Sequence, residues 1–192
     1  MKKTLFIAAI TGLLFASCAE KTDPFAISDG VLGHLNKEVK MKQIDSIFGQ
    51  DSIVKLNPMS NAIGTQGEVA VYEKGGKKLM ILSPNDESDP ESVITNIQIF
   101  DERFKTATGL NKASTFKDIK TNYEIAGIEN AINSVVVFLK NSNVYVTIDK
   151  KELPEDIRYN YSAKIEASQI PDEATFKYFM IGWDLELDDD LE

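Results

Sequence analysis

"GHLNKEVKMKQIDSIFG" (residues 33–49) and "TGLNKASTFKDIKTNYE" (108–124) lie 75 positions apart and read as two copies of one pattern. Leu35, Asn36 and Lys37 of the first meet Leu110, Asn111 and Lys112 of the second, and Lys42 meets Lys117. The apolar positions keep the same offset: Met41 with Phe116, Ile44 with Ile119, Phe48 with Tyr123. Spacings of three and four place these side chains on one helical face, so a helix is expected in each copy. Ser114 or Thr115 can cap the second helix, with Asp118 completing a capping box with Thr115. Gly49 suits the left-handed residue that ends the first.

Downstream of each helix the pattern changes period. "VAVYEKGGKKLMIL" (69–82) sets over "VVVFLKNSNVYVTI" (135–148), each reading as two β-rich runs around a tight connection. Gly75-Gly76 in the first and Asn141-Ser142-Asn143 in the second supply residues that tolerate the positive φ of hairpin turns. A further strand closes each copy, "VITNIQIF" (93–100) and "TFKYFMIGW" (175–183). The expected class is α+β: two tandem units, each a helix packed on an antiparallel β-sheet, over residues 30–106 and 107–184.

This tandem, with "DSIFG" (45–49), its partner at 116–123, the paired hairpins and "ELPEDI" (152–157), resembles the BamE-like and β-lactamase-inhibitor-protein-like fold. It is also similar to two-repeat lipoproteins of Gram-negative bacteria. The resemblance implies a role in binding proteins and transfers no binding residue position by position.

The N-terminus reads as an export signal. Lys2 and Lys3 precede an apolar stretch from Leu5 to Phe15. That is a signal-peptide core and falls short of the roughly 20 residues a membrane-spanning helix needs. Leu14-Phe15-Ala16-Ser17-Cys18 resembles a bacterial lipobox, with Phe15 departing from the Leu usual three places before the cysteine. The resemblance implies cleavage before Cys18 and diacylglyceryl attachment to its thiol, the only one in the chain. The expected plan is a signal peptide (1–17), a lipidated tether (18–29), the two units, and an acidic tail (185–192). The expected place is the cell envelope, lipid-anchored in the outer membrane and facing the periplasm or the cell surface.

Composition narrows the partners. The 192 residues hold 21 Lys+Arg against 30 Asp+Glu, a net charge of −9, which becomes more negative when the leader takes Lys2 and Lys3 away. Such a balance opposes binding to nucleic acid and to anionic headgroups. The expected partners are the membrane, through the N-terminal lipid, and an envelope protein.

Catalytic chemistry has little to stand on. The one histidine, His34 in "LGHLNK", has no second histidine or spare cysteine for a metal site or a nucleophilic triad. "DESDPE" (86–91) lacks the ligand spacing of a calcium loop. "YEKGGKK" (72–78) fits a hairpin tip and not a phosphate loop. No catalytic residue, metal or cofactor is expected, and the favoured function is a non-enzymatic protein-binding or assembly module. The alternative is a carrier or hydrolase with a small-molecule pocket between the two units.

One surface stands apart. Strict alternation in "TFKYFMIGW" puts Phe176, Tyr178 and Met180 on one face and Phe179, Ile181 and Trp183 on the other. The matching strand of the first copy opposes Ile97 and Ile99 to Asn96 and Gln98. A strand apolar on both faces is covered on both, by residues 150–174, by the neighbouring unit or by a partner. Tyr178, Phe179 and Trp183 are the candidate partner-binding residues.

Overall fold

The structure, a computed structural model, describes residues 23–56, 67–89, 91–160, 162 and 164–184. Cys18, the leader and the acidic tail lie outside the described residues.

Two tight turns shape the start of the chain. Asp29-Gly30 joins β1 (Ala26–Ser28) to β2 (Val31–Leu32), and Gly33-His34 joins β2 to β3 (Leu35–Asn36). Gly33 has φ +54°, and a Cβ there would stand 2.1 Å from the Pro24 carbonyl oxygen, so only glycine fits. Exposed His34 occupies the turn tip. Residues 26–28, expected to be tether, are thus a strand, with Ile27 buried in the core.

Next come a 3-10 turn (Met41–Gln43) and α1 (Ile44–Ile47), then a run of four strands. These are β4 (Ser52–Lys55), β5 (Val69–Tyr72), β6 (Lys78–Pro84) and β7 (Ile94–Ile99). β8 (Lys105–Thr106) crosses to pair in parallel with β1, completing a small sheet of order β3-β2-β1-β8. α2 (Phe116–Asn122) leads into β9 (Ile125–Asn130), β10 (Ser134–Leu139) and β11 (Val144–Asp149). α3 (Glu155–Arg158) then precedes β12 (Phe176–Gly182). The large sheet has the order β4-β5-β6-β7-β12-β11-β10-β9. Its middle is the antiparallel pairing of β7 with β12. Positive φ falls on Gly75, Gly76 and Asn141, within the two hairpin turns.

The expected α+β class is overturned. Among the described residues the chain is mostly β, with twelve strands in two sheets and three short helices, not two units each with a helix on its own sheet. Two physical reasons account for it. First, Leu35 and Asn36 pair in β3, and the helices are short, four residues in α1 and seven in α2, lengths that are marginal alone and persist only through packing. Second, the last strand of each half is not an edge. β7 and β12 pair, so the sheet is continuous. The helical segments still dock alike: Met41 N–H donates to the Ser92 carbonyl at 2.9 Å and Phe116 N–H to the Ala174 carbonyl at 3.0 Å. Asp118 caps α2 by accepting from Thr115 N–H at 2.8 Å.

One face of the large sheet carries the core. The row Ile53, Val71, Met80, Ile99, Phe179, Val146, Val137, Ile128 crosses all eight strands through directly paired positions. Each is apolar, and each fully buried side chain of this kind contributes about 1.5–3 kcal/mol. Met41, Ile44, Phe48, Phe116 and Ile119 join the same core, as do Leu153, Ile157, Ile165 and Ile170 from the segment before β12.

A charge cluster built around one buried carboxylate ties the small sheet to the β5–β6 turn. Asp101 is fully buried, and its carboxylate receives the Arg103 guanidinium at 2.6 Å and Lys77 Nζ at 3.2 Å. Arg103 also donates to both Glu73 carboxylate oxygens at 2.9 Å and lies 4.3 Å from the Phe25 ring centroid. Burial alone would raise the Asp101 pKa. The hydrogen bonds from Arg103 and Lys77 outweigh it and hold the carboxyl at about 2.

Candidate functional site

The opposite face of the large sheet faces outward. Its central row runs Val54, Ala70, Ile81, Gln98, Met180, Tyr145, Phe138, Gly127, again one directly paired residue from every strand. Apart from Ala70 these positions are half-buried or exposed. None of them is charged. The solvated face of an antiparallel sheet ordinarily alternates to polar residues, so a wholly uncharged row across eight strands is unusual. Phe138 stacks on Tyr145 with ring centroids 5.6 Å apart. The Tyr145 hydroxyl donates to Asn96 Oδ1 at 3.0 Å, and burial pushes its phenol above the ordinary range despite that bond. Charge is confined to the flanks, where Lys78 Nζ stands 4.4 Å from the Phe100 ring centroid and Lys177 Nζ 5.6 Å from that of Tyr178.

The three residues singled out on and just after β12 do not act together. Phe179 is 0% exposed, in the middle of the buried row, and is corrected to a core residue. Trp183 is half-buried and packs against the core. Its Nε1 is buried without a hydrogen-bond partner among the described residues. Tyr178, 40% exposed, belongs to the outward face. Strict alternation also misplaces Phe176. The pairing passes from Thr147–Tyr178 to Ile148–Phe176, so Lys177 is an extra residue in a bulge. Phe176 thereby turns inward and stacks on Phe179 at 6.2 Å. Its carbonyl, left by the bulge, accepts from the Lys112 ammonium, which burial holds below its ordinary pKa. The residues that sequence reasoning missed are Met180's paired neighbours Tyr145 and Gln98. Only the register between distant strands brings them together.

A cavity of about 550 Å³ lies at one end of the second half of the sheet and not between the halves, where the alternative function places one. It opens between the β9–β10 turn, the end of β11, α3 and the start of β12. Among the described residues no group of three or more His, Cys, Asp or Glu side chains could hold a metal. No described helix is long and apolar enough to cross a membrane.

Neither a family model nor a curated protein sequence matches the chain. The fold is similar to the crystal structure of the uncharacterized protein yfeY from Escherichia coli. The TM-score is 0.50 at 14% identity, covering 82% of this chain and 99% of that one. At that identity the likeness is one of fold alone.

Proposed function

We propose that this chain is a lipid-anchored, non-enzymatic module of the cell envelope that binds another envelope protein through the outward face of its large sheet. The observation that carries this reading is the uncharged row from Val54 to Gly127 across eight strands. Aromatic residues and methionine are over-represented at the centres of protein interfaces, and charge is depleted there. Met180, Tyr145 and Phe138 form such a centre, with Tyr178 and Phe100 beside it.

A photo-reactive residue at Met180 or Phe138 of the full chain, in its native envelope, should crosslink to one protein partner. The same residue at exposed Glu87 should not. Met180→Asp puts a charge into the row and should abolish the crosslink from Phe138 while leaving the unfolding midpoint within a few degrees. Crosslinks of equal yield from all three positions, or none from the sheet face, would overturn the assignment.

The anchor has its own test. Cys18→Ser should prevent incorporation of labelled fatty acid and release the protein from the membrane fraction, because several acyl chains hold far more tightly than one. A Cys18→Ser protein that still carries labelled lipid would show that another residue is modified.

A further inference from the structure

The cavity in the second half gathers positive charge in a protein whose net charge is −9. Lys150, Lys151, Arg158 and Lys177 all line it. The only acid among the described lining residues, Asp149, is already engaged: its carboxylate accepts from Lys151 N–H at 3.0 Å and pairs with Lys177 Nζ at 3.5 Å. Arg158 is held in place, because its Nη2 donates to the carbonyls of Lys151 and Leu153 at 2.9 Å each. Its Nε is buried with no hydrogen-bond partner among the described residues.

The rim is apolar where a surface is ordinarily polar. Ile132, 75% exposed at the β9–β10 turn, and Tyr159, 68% exposed after α3, are the two most exposed large hydrophobic residues described. Both line this cavity. Cations lining one cavity with an exposed aliphatic and an exposed tyrosine match a molecule with an anionic group and an apolar part, since guanidinium and ammonium groups take phosphate oxygens by charge-assisted hydrogen bonds. We propose that this cavity binds the phosphate group of an anionic amphiphile, with Ile132 and Tyr159 receiving its apolar portion. The site is separate from the outward sheet face and does not depend on the reading of that face.

The test titrates the full-length protein, in neutral detergent, with short-chain phosphatidylglycerol, short-chain phosphatidylcholine and inorganic phosphate. Phosphatidylglycerol should bind best and more weakly as salt is raised. Each lysine facing an anionic headgroup is worth about a factor of five, so Lys151→Gln with Lys177→Gln should weaken it about 25-fold. Ile132→Ser with Tyr159→Ser should weaken phosphatidylglycerol and leave phosphate unchanged. These four side chains are largely exposed or line the cavity mouth, and an unchanged thermal midpoint checks that the variants fold. Equal binding of the two lipids, or binding insensitive to the lysine changes, would overturn the proposal. So would binding of inorganic phosphate alone, which assigns the cavity to a free anion.

Discussion

Phe179→Ala is expected to lower the unfolding free energy by about 3–5 kcal/mol, the usual cost of removing a fully buried phenylalanine. The ring stands at the joint of the two halves, opposite Ile99 on one side and Val146 on the other, and stacks on Phe176. Deleting it opens a void that β7 and β11 cannot close without breaking the register of the whole row. Tyr178→Ala, one position along and on the outward face, should cost under about 1 kcal/mol, as surface changes do. Denaturant melts of the two variants decide the matter. Equal losses would mean that the two faces of β12 are not distinguished by burial as the structure has them.

Arg103→Ala should cost about 3 kcal/mol at neutral pH. Removing one partner of a buried charge strands the other, ordinarily at about 3–5 kcal/mol. The lower end applies because Lys77 and the Arg103 backbone N–H still reach Asp101. The same variant should change the acid limb of the stability curve. The Asp101 carboxyl titrates at about 2 when folded against an ordinary 3.8, so its folded pKa is depressed. Its contribution is therefore complete above about pH 4 and is lost as pH falls through 2, on the order of 2 kcal/mol in all. In Arg103→Ala that depression is partly relieved, and the difference between the two proteins should narrow from pH 4 to pH 2. A gap constant over this range would show that Arg103 contributes packing on Phe25 and not charge.

The strands of both hairpins were legible because short apolar, β-rich runs flank Gly75-Gly76 and Asn141-Ser142-Asn143. The helical faces at 41, 44, 48 and 116, 119, 123 were legible as apolar faces, but spacing cannot tell one turn from four. The class is overturned because those helices are short and the strands of both halves join in one sheet. The small sheet left a usable signal, since Asp29-Gly30 and Gly33-His34 each stand between residues that end up paired, yet β1 falls inside the expected tether (18–29) and β3 inside the expected helical copy (33–49). β7 pairing with β12 left none, because nothing in either strand names its neighbour. The same holds for the bulge at Lys177, which moved Phe176 across the sheet, and for the outward row, whose members come from eight separate strands. Of the candidate residues, Tyr178 kept an exposed ring. Phe179 lost its candidacy to a parity that sequence alone assigns correctly but cannot label inside or outside.

The pairing of β7 with β12 also governs how the chain can fold. Strands β4 to β7 and β9 to β12 are neighbours in each half and lie closer in sequence to one another than to the other half, and such nearer contacts form earlier. The seam joins Ile97 to Ile181 across nearly half the chain. Its loop-closure entropy falls on the final assembly step. Until that step both strands present an unpaired edge lined with Ile and Phe, able to pair with the same edge of another chain. Slow seam closure, and dimers formed by exchanging halves at high concentration, are the expected kinetic cost of building one sheet from two separated stretches of sequence.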